Sequence, residues 1–369
     1  MNTELQFLNS YAGNLPWLKD RTIFLTIAGS QAYGTNIATS DTDYKGIAVP
    51  PKEYFYGLQK FEQADKFDGV DCTIFDIRKF VSLAADCNPN IIEMLYTAPA
   101  DQLIKTEVGA LLVGNRSLFL SKKARWTFQG YAFAQLKRIK GHYRWLKSPP
   151  THKPTREECG LPERTVVPAD QLDAAWALIR KRMDSWNPDF SGLDSAETVK
   201  LQTNIDSLLQ EIVGATLYLG EKENLWPQAA AYEGFSTNFI EVIQKEKAYK
   251  GKLTEWQQYQ EWLANRNEAR AAIEAKYGFD CKHGSHLVRL TKMCREILET
   301  GEVIVKRPDA EELKAIRNGA WSYEKLIAWA EEQEAGMDAL YAKSTLPKAP
   351  NRGKIDQLLV EIVERSLKA

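Results

Sequence analysis

The residues best placed to do chemistry lie in one short segment, Ala28-Gly29-Ser30-Gln31-Ala32-Tyr33-Gly34-Thr35, followed by Ser40-Asp41-Thr42-Asp43. Glycine lets backbone approach a phosphate closely, and the N–H groups that open a helix point at an anion. Ser30 adds a hydroxyl donor. Asp41 and Asp43 stand at i and i+2, so at the start of a strand both carboxylates fall on one face. Paired oxygen donors suit a hard divalent cation such as Mg²⁺, which keeps water and substrate phosphate among its ligands. A triphosphate cradle beside a metal-carboxylate pair is the apparatus of metal-assisted nucleotidyl transfer.

A third carboxylate on a neighbouring strand would complete the set. Asp71, early in Val70–Ile77 (VDCTIFDI), is the first choice. Asp76 is the rival, but its place just before Arg78-Lys79-Phe80 reads better as a helix N-cap. Tyr33 inside the motif and Lys45 just after it are further candidate nucleotide contacts. A Gly-Ser turn alone is commonplace, and so is Asp-x-Asp in a solvated loop. The signal is their combination, with a strand before, a short helix between and a strand after.

Those elements are legible as patterns. Ile23 to Ile27 is a short apolar run ending at Gly29, as in a buried strand. Tyr44 to Val49 is a second strand, stopped by Pro50 and Pro51. VDCTIFDI is a third, rich in β-branched and aromatic residues. Helical spacing follows over Arg78 to Asp86 and Asn90 to Tyr96. Beyond about residue 120 the pattern is helical, over Ser121–Lys147, Pro168–Trp186, Glu197–Leu219, Lys252–Tyr277 and Ser322–Tyr341. Five prolines between Ser148 and Pro168 mark a loop over 148–168. The expected class is α+β, a small mixed-sheet domain over residues 1–118 followed by a larger all-helical domain over 119–369.

The chain of 369 residues carries 48 Lys+Arg against 49 Asp+Glu, a net charge of −1, which argues against a polyanionic partner only if charge is evenly spread. It is not. Between Val108 and Arg156 there are eleven basic residues and no acid. In Gly130–Lys147, Ala132, Leu136, Ile139, Tyr143 and Leu146 follow the spacing of a buried helix face. Lys137, Lys140, Arg144 and Lys147 repeat it one residue on, about 100° round the helix. Such a stripe, with Tyr131, His142 and Trp145 interleaved, fits RNA backbone or a triphosphate. The plainer reading is a solvated helix paired with acidic neighbours. Lys282, His286 and Arg289 share one helical face and are candidates to hold phosphate or acceptor, against the reading of a satisfied histidine among surface bases.

Several classes are excluded. Met1 to Ser10 lacks a basic region followed by an apolar one, and the uncharged stretch from Thr22 to Ser40 is broken by Gly29, Ser30, Gln31, Gly34 and Asn36. Neither secretion nor a membrane partner is expected, and the expected location is cytoplasmic. Five scattered cysteines without C-x-x-C spacing suggest neither a disulfide framework nor a zinc site. Ser30 has no identifiable base partner, so a hydrolase triad is not indicated.

The motif resembles the polymerase-beta superfamily signature of Gly-Ser, a spacer, then Asp-x-Asp. More narrowly, GSQAYGTNIATSDTDYKGI is similar to the RlaP-type nucleotidyltransferases encoded beside RNA-repair ligases. The likeness continues in DIRKFVSLAADCNPNIIEMLY, FQGYAFAQLKRIKGHYRWL, KPTREECGLP, KHGSHLVRL, GEVIV and AIRNGAWSYEKL. By position the resemblance implies that Gly29 and Ser30 hold the triphosphate, that Asp41 and Asp43 bind metal, and that Asp71 is the third acid. It implies a polymerase-beta-like catalytic domain that uses two Mg²⁺ ions, with Mn²⁺ as a substitute. An NTP would be the donor and a tRNA or cleaved RNA 3′ end the favoured acceptor. A protein or small-molecule hydroxyl is the alternative acceptor. A nucleotide- or RNA-binding module without catalysis is the alternative of another class.

Overall fold

The computed structural model describes residues 3–11, 13–65, 67–165, 167–185, 226–266 and 268–368. Its centre is a five-stranded sheet in the order β3-β4-β2-β1-β5. In chain order the sheet and its first helices are β1 (Thr22–Ala28), α1 (Gly29–Tyr33), β2 (Asp43–Ala48), α2 (Glu53–Tyr56), β3 (Gln63–Ala64), β4 (Cys72–Asp76), α3 (Ile77–Ala85), α4 (Pro89–Ile92), β5 (Gln102–Lys105), α5 (Glu107–Gly114) and α6 (Ala124–Lys147). Then come α7 (Ala169–Ser185), α8 (Trp226–Tyr232), α9 (Thr237–Ala264), α10 (Glu268–Tyr277), α11 (Cys281–Thr300), α12 (Ala310–Arg317), α13 (Tyr323–Lys343) and α14 (Arg352–Lys368). The class is α+β, with a mixed sheet followed by helices.

The sheet is mixed because β2 and β4 run parallel, while the pairs β1–β2, β1–β5 and β3–β4 are antiparallel. A parallel pair needs a crossover, and the chain makes it through α2 and β3. Both faces are covered. Phe24 and Ile47 point into a core shared with α3, α6 and α11, whereas their neighbours Leu25 and Ala48 join Leu8, Leu18, Phe61 and Phe67 on the other face. That explains why β1 reads as a continuous apolar run rather than an alternating one.

The chain forms two compact units, residues 1–147 with 267–369, and residues 148–266. The sequence division at 118/119 is drawn elsewhere. In the first unit α6 and α11 belong to the same core as α3, through Phe128, Ala132, Leu136 and Ile139 on α6 and Leu287, Val288, Met293 and Ile297 on α11. Arg125 on α6 is buried and ion-paired with Glu334 at 2.6 Å and Asp338 at 3.2 Å, both on α13. The second unit has small cores of its own around Ile179 with Ala229 and Ala230, and around Leu172 with Ile243. It also holds an Arg156–Glu246 pair at 2.5 Å, within the expected loop region and α9.

Some elements differ from the sequence pattern. The strand expected over Val70–Ile77 is trimmed to β4, because Asp76 already caps α3. The helix expected over Lys252–Tyr277 is two, α9 and α10; Asn265 closes the first by donating its backbone N–H to the Glu261 carbonyl at 3.0 Å. The helix expected over Glu197–Leu219 lies outside the described residues. Among the described residues no helix is long and apolar enough to cross a membrane. All five cysteines are free, and four are buried.

Candidate active site

The site forms where β1 hands over to α1. Gly29 has a φ of +59°, a backbone conformation that favours glycine. Ala28, just before it, pairs with Asp43 across the β1–β2 ladder. A Cβ on Gly29 would lie 1.8 Å from Asp43 Oδ2. The glycine therefore serves two needs at once: it makes the turn, and it leaves room for the acid to lie against the start of the short helix. Gly34, with φ +73°, ends α1, and Thr35 donates its backbone N–H to the Ser30 carbonyl at 2.9 Å. Next, Ser40 Oγ accepts from the Ile37 N–H at 2.9 Å, closing the turn that delivers Asp41.

Asp71 sits at the threshold of β4. The β2–β4 register places Tyr44 opposite Cys72, and the Tyr44 N–H donates to the Asp71 carbonyl at 2.8 Å. Asp43 at the start of β2 and Asp71 just before β4 are thus neighbours at the same end of adjacent parallel strands. Burial raises the Asp43 carboxyl above the usual range, and the charges of Asp71 and then Asp41 push it further the same way. Among the described residues no three His, Cys, Asp or Glu side chains are already gathered at metal-holding spacing. The donor set nevertheless fits a hard divalent cation. It is all oxygen, its carboxylates repel one another, and Gly29 keeps clear the space beside Asp43 that a Cβ would fill.

Asp76 has a different occupation. It is buried, caps α3 by accepting from the Arg78 N–H at 2.7 Å, and pairs with the Arg78 guanidinium at 2.9 Å. That is the N-cap its sequence position indicates.

Lys45 lies two residues beyond Asp43 on β2, its Nζ 3.5 Å from the Asn90 carbonyl oxygen. Burial lowers its pKa, partly offset by the charges of Glu93, Asp43 and Asp71. Tyr33, the last residue of α1, donates its hydroxyl to Glu93 Oε2, and Arg289 stacks on its ring at 3.8 Å. Burial above all, then Glu93, keeps that hydroxyl protonated. Arg289 itself is buried and pairs with Glu93 Oε1 at 2.6 Å. It is therefore engaged inside the first unit rather than presented to solvent. Lys282 and His286, on the same face of α11, are half-buried. Burial pushes the His286 imidazole down to about 3, and the nearby charges of Arg289, His283, Lys282 and Arg317 act in the same direction.

On α6, Lys137, Lys140, Arg144 and Lys147 are exposed, while Ala132, Leu136 and Ile139 are buried. Lys140 lies 3.9 Å from Glu331, and Lys147 over the Tyr143 ring. Tyr131 accepts a hydrogen bond from Asn88 Nδ2 at 3.2 Å, joining this helix to the N-terminal end of α4, which also supplies the Asn90 carbonyl beside Lys45.

Sequence reasoning missed three residues. Glu93 lies inside the apolar string NIIEMLY, and an acid in such a string needs a buried partner. The partner, Arg289, is 196 residues away, beyond any spacing rule. Arg307 donates its backbone N–H to the Tyr33 carbonyl at 3.0 Å, and Lys306 Nζ lies 3.5 Å from the Gln31 carbonyl oxygen. The alternation of Val303 and Val305 inside with Ile304 and Lys306 outside was the available signal.

The family model of the RNA repair pathway DNA polymerase beta family, RlaP, matches residues 5–148. Over that stretch the chain is similar to RlaP-type proteins. The match takes in the whole sheet and ends one residue past α6. A second relative is an uncharacterized 38.9 kDa protein in the nrdC-mobD intergenic region of Enterobacteria phage T4, 29% identical over 128 residues. That alignment spans 31% of this chain and 38% of the phage protein. No solved structure matches.

Proposed function

We propose that this RlaP-type protein is a metal-dependent nucleotidyltransferase that moves a nucleoside monophosphate from an NTP to a hydroxyl, with an RNA 3′ end as acceptor. The observation that carries the reading is the contact between Gly29 and Asp43. It puts the phosphate-cradle turn against an acid whose carboxyl feels the charges of Asp71 and Asp41 beside it. Asp41, Asp43 and Asp71 would hold Mg²⁺, as two ions with Mn²⁺ as a substitute. Once bound, the metal supplies charge neutralisation for the triphosphate and a lower pKa for the acceptor hydroxyl.

The chain's own residues bind and orient. Backbone N–H groups at Gly29 and Ser30, the Ser30 hydroxyl and Lys45 are placed for the phosphates, and Tyr33 anchors the helix that carries the first two. The acceptor oxygen forms a bond to the α-phosphorus as the bond from that phosphorus to the bridging oxygen breaks. Pyrophosphate leaves with the released electron pair, and the hydroxyl proton passes to water. The exposed stripe of Lys137, Lys140, Arg144 and Lys147 gives an RNA acceptor its phosphate contacts, and on α11 Lys282 offers a further cation beside the neutral His286.

Incubation with each α-labelled NTP, Mg²⁺ and total cellular RNA or protein tests the reading. Label should enter RNA, pyrophosphate should be released, and Asp41→Asn with Asp43→Asn should abolish both. Equal labelling by that double variant refutes the catalytic assignment. Label in the protein fraction moves the acceptor from RNA to protein.

A further inference from the structure

Glu93 is 5% exposed, and both its oxygens are taken. Oε2 accepts from the Tyr33 hydroxyl, and Oε1 from Arg289 Nη1 at 2.6 Å. The Arg289 guanidinium lies 3.8 Å from the centre of the Tyr33 ring, so the three side chains close on one another. They come from α1, from the 3₁₀ turn Glu93–Tyr96 after α4, and from α11.

A buried charged pair is a costly way to fill a core, since well-packed apolar side chains of similar volume are often as stable or more so. Its value must lie in what it fixes. The element it fixes is α1, a helix of five residues with no side-chain N-cap. A helix this short has no stability of its own, so its orientation is set at its two ends. At the front, the Ala28–Asp43 pairing holds it. At the back everything converges on Tyr33: the hydroxyl on Glu93, the ring under Arg289, and the carbonyl accepting from the Arg307 N–H at 3.0 Å. A change at the back end tilts the turn that carries Gly29 and Ser30 at the front.

We infer that Glu93 is a positioning residue of the nucleotidyl-transfer site. Through Tyr33 and Arg289 it locks the short helix bearing Gly29 and Ser30, so that α11, remote in sequence from the motif, sets polyphosphate affinity. The inference takes only the identity of the ligand from the proposed function.

The test uses the full chain in three forms: wild type, Glu93→Gln, and Glu93→Gln with Arg289→Met, which removes both buried charges together. Amide exchange is read at Gly34 and Thr35, whose N–H groups donate to carbonyls within α1. Binding of Mg²⁺-tripolyphosphate is read by calorimetry. Glu93→Gln should speed exchange at these two amides by at least about tenfold while leaving β1 unchanged, as expected for local opening. It should weaken tripolyphosphate binding by a similar factor. The double variant should recover the Tm lost in the single one but neither the exchange protection nor the affinity. If Glu93→Gln does not fold, the double variant carries the same two readings. Unchanged exchange at Gly34 and Thr35, or wild-type affinity in the folded double variant, overturns the inference. If wild type fails to bind tripolyphosphate while exchange responds as stated, the proposed function falls and the locking of α1 stands.

Discussion

Replacing Gly29 with alanine tests the junction on which the site reading depends. The substitution has two costs that separate cleanly. The backbone at φ +59° disfavours any side chain by about 1–2 kcal/mol. That lowers Tm by only a few degrees, roughly 2–4 °C per kcal/mol in a unit of this size. The second cost is local. The new Cβ would stand 1.8 Å from Asp43 Oδ2, whereas real Cβ contacts essentially never fall under 3.0 Å. The carboxylate must retreat by more than about 1 Å, and a misplacement of that size at a reacting centre costs roughly 10²-fold in rate. Gly34 supplies the control. It too has positive φ, at +73°, but a Cβ there meets only the Lys306 side chain, nearest at 3.3 Å, which can swing aside. Gly34→Ala should therefore cost similar stability and far less activity. The assay is Mg²⁺-dependent labelling from an α-labelled NTP, normalised to folded protein by thermal melt. If Gly29→Ala keeps a rate within about threefold of Gly34→Ala, the Asp43 carboxylate is not part of the reacting centre.

Two further outcomes follow from charge. The His286 imidazole is held at about 3, below its ordinary 6.5, so between those values the unfolded chain takes up a proton that the folded chain refuses. Stability is therefore lost as pH falls from 6.5 toward 3, and His286→Gln should flatten the plot of Tm against pH in that window; an unchanged slope sinks the assignment. Neutralising Lys137, Lys140, Arg144 and Lys147 together should weaken single-stranded RNA binding and reduce the slope of log K against log salt by about 3, at roughly 0.7 per phosphate contact. An unaltered slope would return these residues to the role of a solvated helix face.

The sequence made visible whatever depends on neighbours along the chain. β1, β2 and β4 announce themselves because buried strands need runs of Ile, Leu, Val and aromatic residues, and α6 does because its apolar residues recur with the helical period. Gly29 and the Asp-x-Asp pair are legible because the cradle and the acids must be close in sequence to bridge β1 and β2. Two strands stayed hidden. β3 has two residues and β5 four, and at a sheet edge the ladder on one side carries them without a strong side-chain pattern. The partner of Glu93 stayed hidden for a sharper reason. Its apolar neighbours mark Glu93 as an acid that needs a buried partner, but nothing local says which residue that is, because the choice is made when α11 docks.

The same docking explains how a near-zero net charge hides a basic helix face and why the family match, ending at residue 148, does not mark the limit of the core. Phe128, Leu136 and Ile139 on α6 are buried in one core with Leu287, Val288 and Ile297 on α11. The inner face of the basic helix is thus sealed by residues 140 or more positions later, and its cations are turned outward. Acids that repel one another around Asp43 and bases that repel one another along α6 each need to be held against their own charge. Neither β2 nor α6 could impose that alone, since a two-stranded ladder and a single amphipathic helix are marginal in isolation. The shared core does so for both, placing acids at the strand ends and bases on the far face of the helix. The proposed site, with acids to hold metal and bases to hold nucleic acid, would therefore require the helical segment as much as the motif.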